Sequence, residues 1–134
     1  RRYKMAVTHS TAARNAATDA VTTLIGASGN LVFRITGSTV ASPSAAVATL
    51  PLSATAFGAS STGTATANSI SGDTNATGNV SAVAFATLQT SAAVIVIQCA
   101  VAASASDINM TGGLTVAAGD TVSCSSLTYT ALSA

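Results

Sequence analysis

The hydrophobic pattern of this chain changes its period once, near residue 26, and that change constrains the fold more than any other feature. Between Thr8 and Ile25 the apolar residues recur at helical spacing, which predicts one amphipathic helix over residues 8–25. Thr8 or Ser10 can cap its start, and Gly26 can adopt the left-handed conformation at its end. Beyond this point apolar and polar residues alternate, as they do in half-buried strands.

The predicted helix carries its apolar residues in one stripe, and most of them are alanine. The stripe consists of Ala12, Ala13, Ala16, Ala17, Ala20, Val21, Leu24 and Ile25. Arg14 and several Asn, Thr and Asp residues occupy the rest of the helix surface. We expect the stripe to pack closely against a sheet or against a neighbouring subunit, because small side chains allow close approach.

About seven short strands are predicted after the helix, and turn signals separate them. They cover residues 31–36, 46–52, 62–71, 80–88, 92–102, 114–116 and 121–131. The run from Val94 to Ile97 is the most apolar, which is typical of a central strand buried on both faces. This order predicts a mainly β fold, an antiparallel β-sandwich or jelly-roll-like domain with one N-terminal α-helix. We expect residues 1–7 to form an N-terminal arm and residues 8–134 a single domain.

Charged residues are scarce and unevenly placed. They make up 7% of the chain, against roughly 25% in an ordinary soluble domain. There is no glutamate, and three of the five basic residues are Arg1, Arg2 and Lys4. Ala, Ser and Thr supply about half of the sequence. A polar but uncharged surface argues against an enzyme acting on ionic substrates and against a nucleic-acid binder, because phosphate backbones require clustered Lys and Arg. It favours packing against copies of itself or against a partner.

The residue types that carry catalysis or bind metals are few and scattered. His9 is the only histidine, and its place at the helix start favours a local polar role over a general base. The four aspartates are spread along the sequence, and no phosphate loop, nucleophile motif or metal-ligand pair is present. We therefore predict no catalytic residue, no metal and no cofactor.

The two cysteines indicate the redox state of the thiols, and the longest apolar run indicates whether the chain can cross a membrane. Cys99 and Cys124 both lie in predicted strands, and we favour buried free thiols over a disulfide. The apolar run from Ala92 to Ala103 is too short to cross a bilayer as a helix, which needs about 20 residues. No apolar segment of a secretory signal follows the basic start. We expect no membrane partner.

Three stretches of the sequence form a recognisable combination. They are MAVTHSTAARNA from Met5, AFG from Ala56 with GTATAN from Gly63, and LTVAAGDTV from Leu114 with LTYT from Leu127. Together, and over most of the chain, they resemble small virion proteins of tailed bacteriophages, often described as capsid decoration or cement proteins. The resemblance implies a non-enzymatic, β-rich subunit that forms a homotrimer. It also implies that the subunit is assembled in the host bacterial cytoplasm, binds the major capsid protein lattice on the capsid exterior, and stabilises that lattice against internal DNA pressure.

On this interpretation we expect the partner contacts at the N-terminal arm and the first helix. The candidate contact residues are Arg1, Arg2, Tyr3, Lys4, Ala12, Arg14 and Ala16. The alternative from another class is a secreted or virion-borne adhesin or fibre module that binds host glycans or a receptor. Such a module exposes aromatic residues for sugar stacking, whereas only 4% of this chain is aromatic. An enzyme ranks third, because glutamate is absent and histidine is scarce.

Overall fold

The computed structural model describes Tyr3 and residues 7–133, and it consists mainly of strands that follow one N-terminal helix. The elements are α1 (Thr11–Ile25), β1 (Asn30–Ile35), β2 (Ala46–Pro51), β3 (Thr64–Thr66), β4 (Val83–Gln89), β5 (Ile95–Ala102), β6 (Ile108–Asn109) and β7 (Thr128–Thr130). The expectation of a mainly β fold with an N-terminal helix is confirmed.

The strands form two sheets. The larger has the order β2-β1-β4-β5-β6, and the smaller pairs β3 with β7. Every pairing is antiparallel except the short parallel contact between β5 and β6. On one face of the large sheet, Phe33 of β1 lies opposite Ala48 of β2 and Ala86 of β4. This face packs into the main core together with Ala65 from the small sheet and Val122 from the C-terminal segment.

The opposite face of β1 is also buried, because the loop of residues 36–45 covers it. The buried side chain of Arg34 donates from one terminal nitrogen to the Ser44 carbonyl at 2.7 Å. Its Nε donates to the Thr87 hydroxyl at 3.0 Å, and its other terminal nitrogen donates to Gln89 Oε1 at 3.0 Å. Burial lowers the pKa of the Arg34 guanidinium. The loop and this polar cluster bury β1 on both faces, and the neighbouring strand β4 is likewise buried at four successive residues from Ala86 to Gln89.

The expectation that the apolar run in β5 forms the central, doubly buried strand is therefore wrong. Ile95, Val96 and Ile97 are only half-buried, and Val94, just before the strand, is 61% exposed. β5 lies next to the short edge strand β6, which pairs only with Val101 and Ala102. Hydrophobicity alone did not reveal which strand the 36–45 loop covers.

Some element bounds also differ from the sequence expectation. The helix begins at Thr11 rather than Thr8, because the Ser10 side chain accepts a hydrogen bond from the Ala13 N–H at 3.1 Å and caps it. Gly26 ends the helix with the expected positive φ of 70°, but its ψ of −162° places it outside the left-handed helical conformation that we expected. β3 and β7 are each three residues long rather than 62–71 and 121–131. Residues 114–116 form no strand and contact their neighbours through single backbone hydrogen bonds, such as the one from the Asn79 N–H to the Val116 carbonyl at 2.8 Å.

Candidate interaction surface

Helix α1 packs on the domain through its polar face. Thr18 is completely buried, and its hydroxyl donates to the Gly63 carbonyl at 2.6 Å. The same hydroxyl accepts a hydrogen bond from the Ala131 N–H, just after β7, at 3.1 Å. One threonine side chain therefore joins the helix to both sides of the small β3–β7 sheet. Thr22 and Ile25 are the other buried residues of the helix.

Two more polar side chains of the helix bind the turn that leads into β3. The Asn15 side-chain oxygen accepts from the Gly63 N–H at 2.7 Å, and an Asp19 carboxylate oxygen accepts from the Ser60 N–H at 2.8 Å. The Ser60 hydroxyl donates to the Asn15 carbonyl at 3.1 Å. These contacts satisfy backbone groups of an irregular segment that would otherwise lack partners beneath the helix. The polar face of α1 is therefore a docking surface within the chain.

The turn itself has a conformation that suits this close contact. Thr62 and Gly63 both have positive φ, 51° and 87°, and Ser61 and Thr64 exchange backbone hydrogen bonds across them. Two positive φ values in a tight two-residue turn favour glycine. A Cβ at Gly63 would also lie 3.1 Å from the Cβ of Arg14. Glycine at this position allows the helix to approach.

Arg14, a candidate contact residue, points toward this turn. One terminal nitrogen of its guanidinium donates to the Thr62 carbonyl at 3.1 Å, and the other donates to the Thr11 hydroxyl at 3.4 Å. Its Nε is buried and has no hydrogen-bond partner within the described part of the chain. The Arg14 side chain is half-buried, and its guanidinium contacts residues of its own chain rather than pointing into solvent.

The alanine stripe consequently faces solvent. Ala12, Ala13, Ala16 and Ala20 are exposed, and Leu24 is 66% exposed. Of the eight stripe residues only Ile25 is buried. The expectation that the stripe packs on a sheet of its own chain is therefore wrong. Each polar contact contributes about 0.5–1.5 kcal/mol and spares a buried backbone group a larger penalty. An alanine methyl gains only about 0.8 kcal/mol on burial. Docking of the polar face on the domain therefore contributes more free energy than burial of the alanine side chains would.

The outward side of α1 is also free of charge. Arg14 and Asp19 are the only charged residues between Thr11 and Ile25, and both bind the turn on the inner side. The exposed helix surface is therefore neutral and mostly apolar, and the polar residues exposed on it are Thr11 and Thr23. We call this surface, formed by Ala12, Ala13, Ala16, Ala20 and Leu24, the alanine face.

The remaining candidate contact residues fall into two groups. Arg1, Arg2 and Lys4 lie outside the described residues. Tyr3 is 82% exposed, and the alanine face contains both Ala12 and Ala16. Sequence reasoning missed the inward role of the polar residues. Their spacing was a usable signal, because Asn15, Thr18, Asp19 and Thr22 recur as regularly as the alanines do.

All four carboxylates bind backbone N–H groups. The pairs are Asp19 with Ser60, Asp73 with Thr49 and Asn75, Asp107 with Ala100, and Asp120 with Ala117. The donor–acceptor distances run from 2.8 to 3.0 Å. Each carboxylate therefore fixes a turn or a strand edge. Over Tyr3 and residues 7–133, no group of three or more His, Cys, Asp or Glu side chains is arranged to hold a metal ion.

Both cysteines are free, as we favoured, but they are half-buried rather than buried, and Cys124 lies outside the strands. Burial, followed by the negative charge of Asp107, raises the pKa of the Cys99 thiol to about 11. Burial also raises the pKa of the Cys124 thiol. Because the thiolate is the reactive form, both side chains are poor nucleophiles at neutral pH.

Two concave regions lie on the surface. A groove of about 630 Å³ runs between β6 and residues 120–128, and its lining includes Asp107, Asn109 and Asp120 among many hydroxyl groups. A cleft of about 470 Å³ lies beside α1 and residues 54–59. The groove is polar and suits a hydroxyl-rich ligand better than an apolar one.

Comparison with known proteins finds no matching family model, no matching curated protein and no matching solved structure. Within the described residues, no helix has the length and hydrophobicity needed to span a membrane.

Proposed function

We propose that this protein is a non-enzymatic virion structural protein that binds the major capsid protein lattice on the exterior of a tailed-bacteriophage capsid and stabilises it. The observation that carries the proposal is the orientation of α1, which uses its polar face within the chain and leaves the alanine face free. A helix surface of this kind suits close contact with another protein surface.

The chemistry of the alanine face fits a crowded lattice. Copies that lie side by side avoid like-charge repulsion when the surface carries no charge, and contacts without ion pairs depend weakly on salt. Burial of one alanine methyl contributes only about 0.8 kcal/mol. Each contact is therefore weak, and stabilisation comes from many copies that act together.

The capsid proposal is tested by sedimentation of purified protein with capsids that lack it. We expect co-sedimentation in a fixed copy number per capsid. Ala16→Lys places a charge at the centre of the alanine face and should lower the bound copy number at least about tenfold, because a lysine must be desolvated in the contact. Ala41→Lys is the matched control, since Ala41 is an exposed alanine in the 36–45 loop and is not part of α1. This control should bind like the unsubstituted protein.

Deletion of residues 1–25 should also abolish capsid binding. That deletion removes the hydrogen bonds of Thr18, Asn15 and Asp19 as well as the alanine face, so it changes stability and surface together. Ala16→Lys separates the two, because Ala16 makes no contact with the core. Equal capsid binding by Ala16→Lys and Ala41→Lys would refute a role for the alanine face.

A second candidate function is an adhesin or fibre module that binds host glycans. The groove beside β6 favours it, because carboxylate, amide and hydroxyl groups line the groove and can bind sugar hydroxyls. The aromatic side chain in the lining, Phe33, is buried and offers no open stacking surface. The sedimentation experiment distinguishes the candidates. Binding to cells or immobilised glycans without binding to capsids would support the adhesin.

A further inference from the structure

One wall of the groove beside β6 is an open strand edge. The Met110 N–H, just after β6, donates to the Ala102 carbonyl of β5 at 2.9 Å. Because backbone groups alternate in direction along a strand, the N–H and carbonyl of Asn109 face away from β5. Neither of them has a hydrogen-bond partner among Tyr3 and residues 7–133. This side of β6 can therefore accept another extended segment.

The opposite wall of the groove is open in the same way. Val122 exchanges two backbone hydrogen bonds with Asp73, at 2.8 and 2.9 Å, so the backbone groups of Thr121 and Ser123 face away from Asp73. Those groups have no partner within the described part of the chain. Thr121 and Ser123 line the groove, as Asn109 does. An extended segment in the groove would therefore find backbone partners on both sides.

The groove has an apolar floor and an acidic rim. Ile108, Met110 and Leu127 line it, pack against the core and are half-buried. Asp107 and Asp120 are exposed in the lining, and no basic side chain among the described residues lines the groove. Each carboxylate binds a backbone N–H through one oxygen, and its second oxygen has no partner among those residues. The groove therefore suits a segment that is both apolar and cationic.

The N-terminal arm, residues 1–7, has this complementary pattern. Tyr3, Met5 and Val7 alternate with Arg2 and Lys4. An arm in extended conformation would therefore have one apolar and one cationic face. Tyr3 is 82% exposed and Val7 is 64% exposed, and neither lines the groove of its own chain. The arm thus carries apolar side chains that its own domain leaves uncovered.

The few charges of the chain favour the arm as the occupant of the groove. Both basic residues outside the arm bind their own chain, Arg14 at the turn before β3 and Arg34 at the 36–45 loop. The other basic residues of the sequence are Arg1, Arg2 and Lys4. Arm and groove are therefore opposite in charge, which favours their association. A neutral sugar would compensate neither carboxylate of the groove.

We propose that the N-terminal arm of one copy lies extended in the groove beside β6 of a second copy. Backbone groups on both walls hold the arm, the floor covers its apolar face, and Asp107 and Asp120 bind its cations. The contact is head-to-tail, because arm and groove are different surfaces, and contacts of this kind can close into rings. The inference rests on the proposed function in one respect, since the homotrimer that the resemblance implies needs such a contact.

Two variants test the contact by complementation in the absence of capsids. A protein without residues 1–6 keeps the groove and lacks most of the arm. Ser125→Lys keeps the arm and places a cation at an exposed position of the groove. Sedimentation velocity over a wide concentration range gives the association constant of each protein. We expect the full chain to self-associate and each variant alone to do so at least about fivefold more weakly, because attraction is lost or replaced by repulsion.

A mixture of the two variants identifies a second copy as the occupant. One variant supplies only a groove and the other supplies only an arm, so the mixture should form a one-to-one complex that neither variant forms alone. Ser91→Lys is the matched control for the added charge, since Ser91 is an exposed serine in the turn between β4 and β5 and does not line the groove. This control should self-associate like the full chain.

The sign of the charge effect separates recognition of the arm from a general disturbance. Ser125→Glu should strengthen self-association, whereas Ser125→Lys weakens it, and added salt should weaken the association of the full chain. In the protein without residues 1–6, neither substitution should change the residual association. A weakening by both substitutions would contradict the proposed charge complementarity.

Several results would overturn the proposal. Self-association that is unchanged without residues 1–6, or a mixture that forms no one-to-one complex, would show that arm and groove do not meet. A full chain that stays monomeric at every concentration would also overturn it. If Ser125→Lys then weakened capsid binding, the occupant of the groove would be another protein.

The two proposals fail separately. Capsid binding in a fixed copy number by a protein that shows no contact between arm and groove would leave the capsid function standing. Complementation between the two variants without any capsid binding would retain the contact between copies and remove the capsid function.

Discussion

Replacement of Thr18 by valine tests whether hydrogen bonds hold α1 on the domain. Valine has nearly the same shape as threonine, so Thr18→Val removes the hydroxyl and preserves the packing. The hydroxyl donates to the Gly63 carbonyl at 2.6 Å and accepts from the Ala131 N–H at 3.1 Å, and the side chain is completely buried. Two net hydrogen bonds, each worth about 0.5–1.5 kcal/mol, and two backbone groups left without partners give a loss of about 2–4 kcal/mol.

Urea unfolding followed by circular dichroism measures this loss as a change in the free energy of unfolding. Thr23→Val is the matched control, because Thr23 lies exposed on the same helix and the change in helix propensity is the same. It should alter the free energy by less than about 0.5 kcal/mol. Thr18→Ser, which retains the hydroxyl, should recover most of the hydrogen-bond contribution. Equal stability of Thr18→Val and Thr23→Val would refute the polar docking of α1.

Three further predictions concern other parts of the fold. Gly78→Ala should destabilise the protein by about 2 kcal/mol or more in urea unfolding, because φ is +70° and the new Cβ would overlap the backbone of a neighbouring loop, whereas Gly112→Ala, where nothing lies near, should be close to neutral. Arg34→Met should speed amide exchange in the 36–45 loop about tenfold or more, because the guanidinium holds that loop; unchanged exchange would contradict this role. Because the pKa of Cys99 is raised to about 11, its thiol stays protonated after the unfolded thiol ionises, so stability should fall as the pH rises from 9 toward 11. Cys99→Ala should reduce that fall, and an identical pH profile would contradict the assignment.

The sequence predicted the order and type of the elements well where local signals are strong. Ser10 and Gly26, the capping residues, mark the two ends of the helix, and the alternation of apolar and polar residues from Leu31 onward identified β1. These features depend on short-range chemistry, which the sequence displays directly. The large sheet and its N-terminal helix follow from them.

The direction in which α1 faces was not predictable from its apolar pattern. Hydrophobic periodicity assigns the core side to the apolar stripe, and that assignment works when the stripe contains large side chains. Here the stripe is mostly alanine, and Asn15, Thr18 and Asp19 have backbone partners in a distant turn. The location of those partners depends on tertiary structure, which a helical pattern does not contain.

The misplacement of β5 has a similar origin. The run of apolar residues in β5 predicted a central strand, but β1 and β4 are the inner strands buried on both faces, and Arg34 and the 36–45 loop cover the second face of β1. A cover formed by a polar loop leaves no trace in the hydrophobicity of the strand beneath it. The sequence therefore suggested a neutral contact protein and named Ala12 and Ala16, but the structure was needed to show that they are exposed.

Thiol labelling of Ala16→Cys tests the central claim most directly. The native thiols react slowly at neutral pH, because burial raises the pKa of both, so the new cysteine dominates the labelling rate. The account predicts rapid labelling of Ala16→Cys in the free protein and strong protection when the protein is bound to capsids, with Ala41→Cys reactive in both states. Slow labelling of Ala16→Cys in the free protein would show that the alanine face is buried in its own domain. Rapid labelling in the capsid-bound protein would show that this face is not the contact surface.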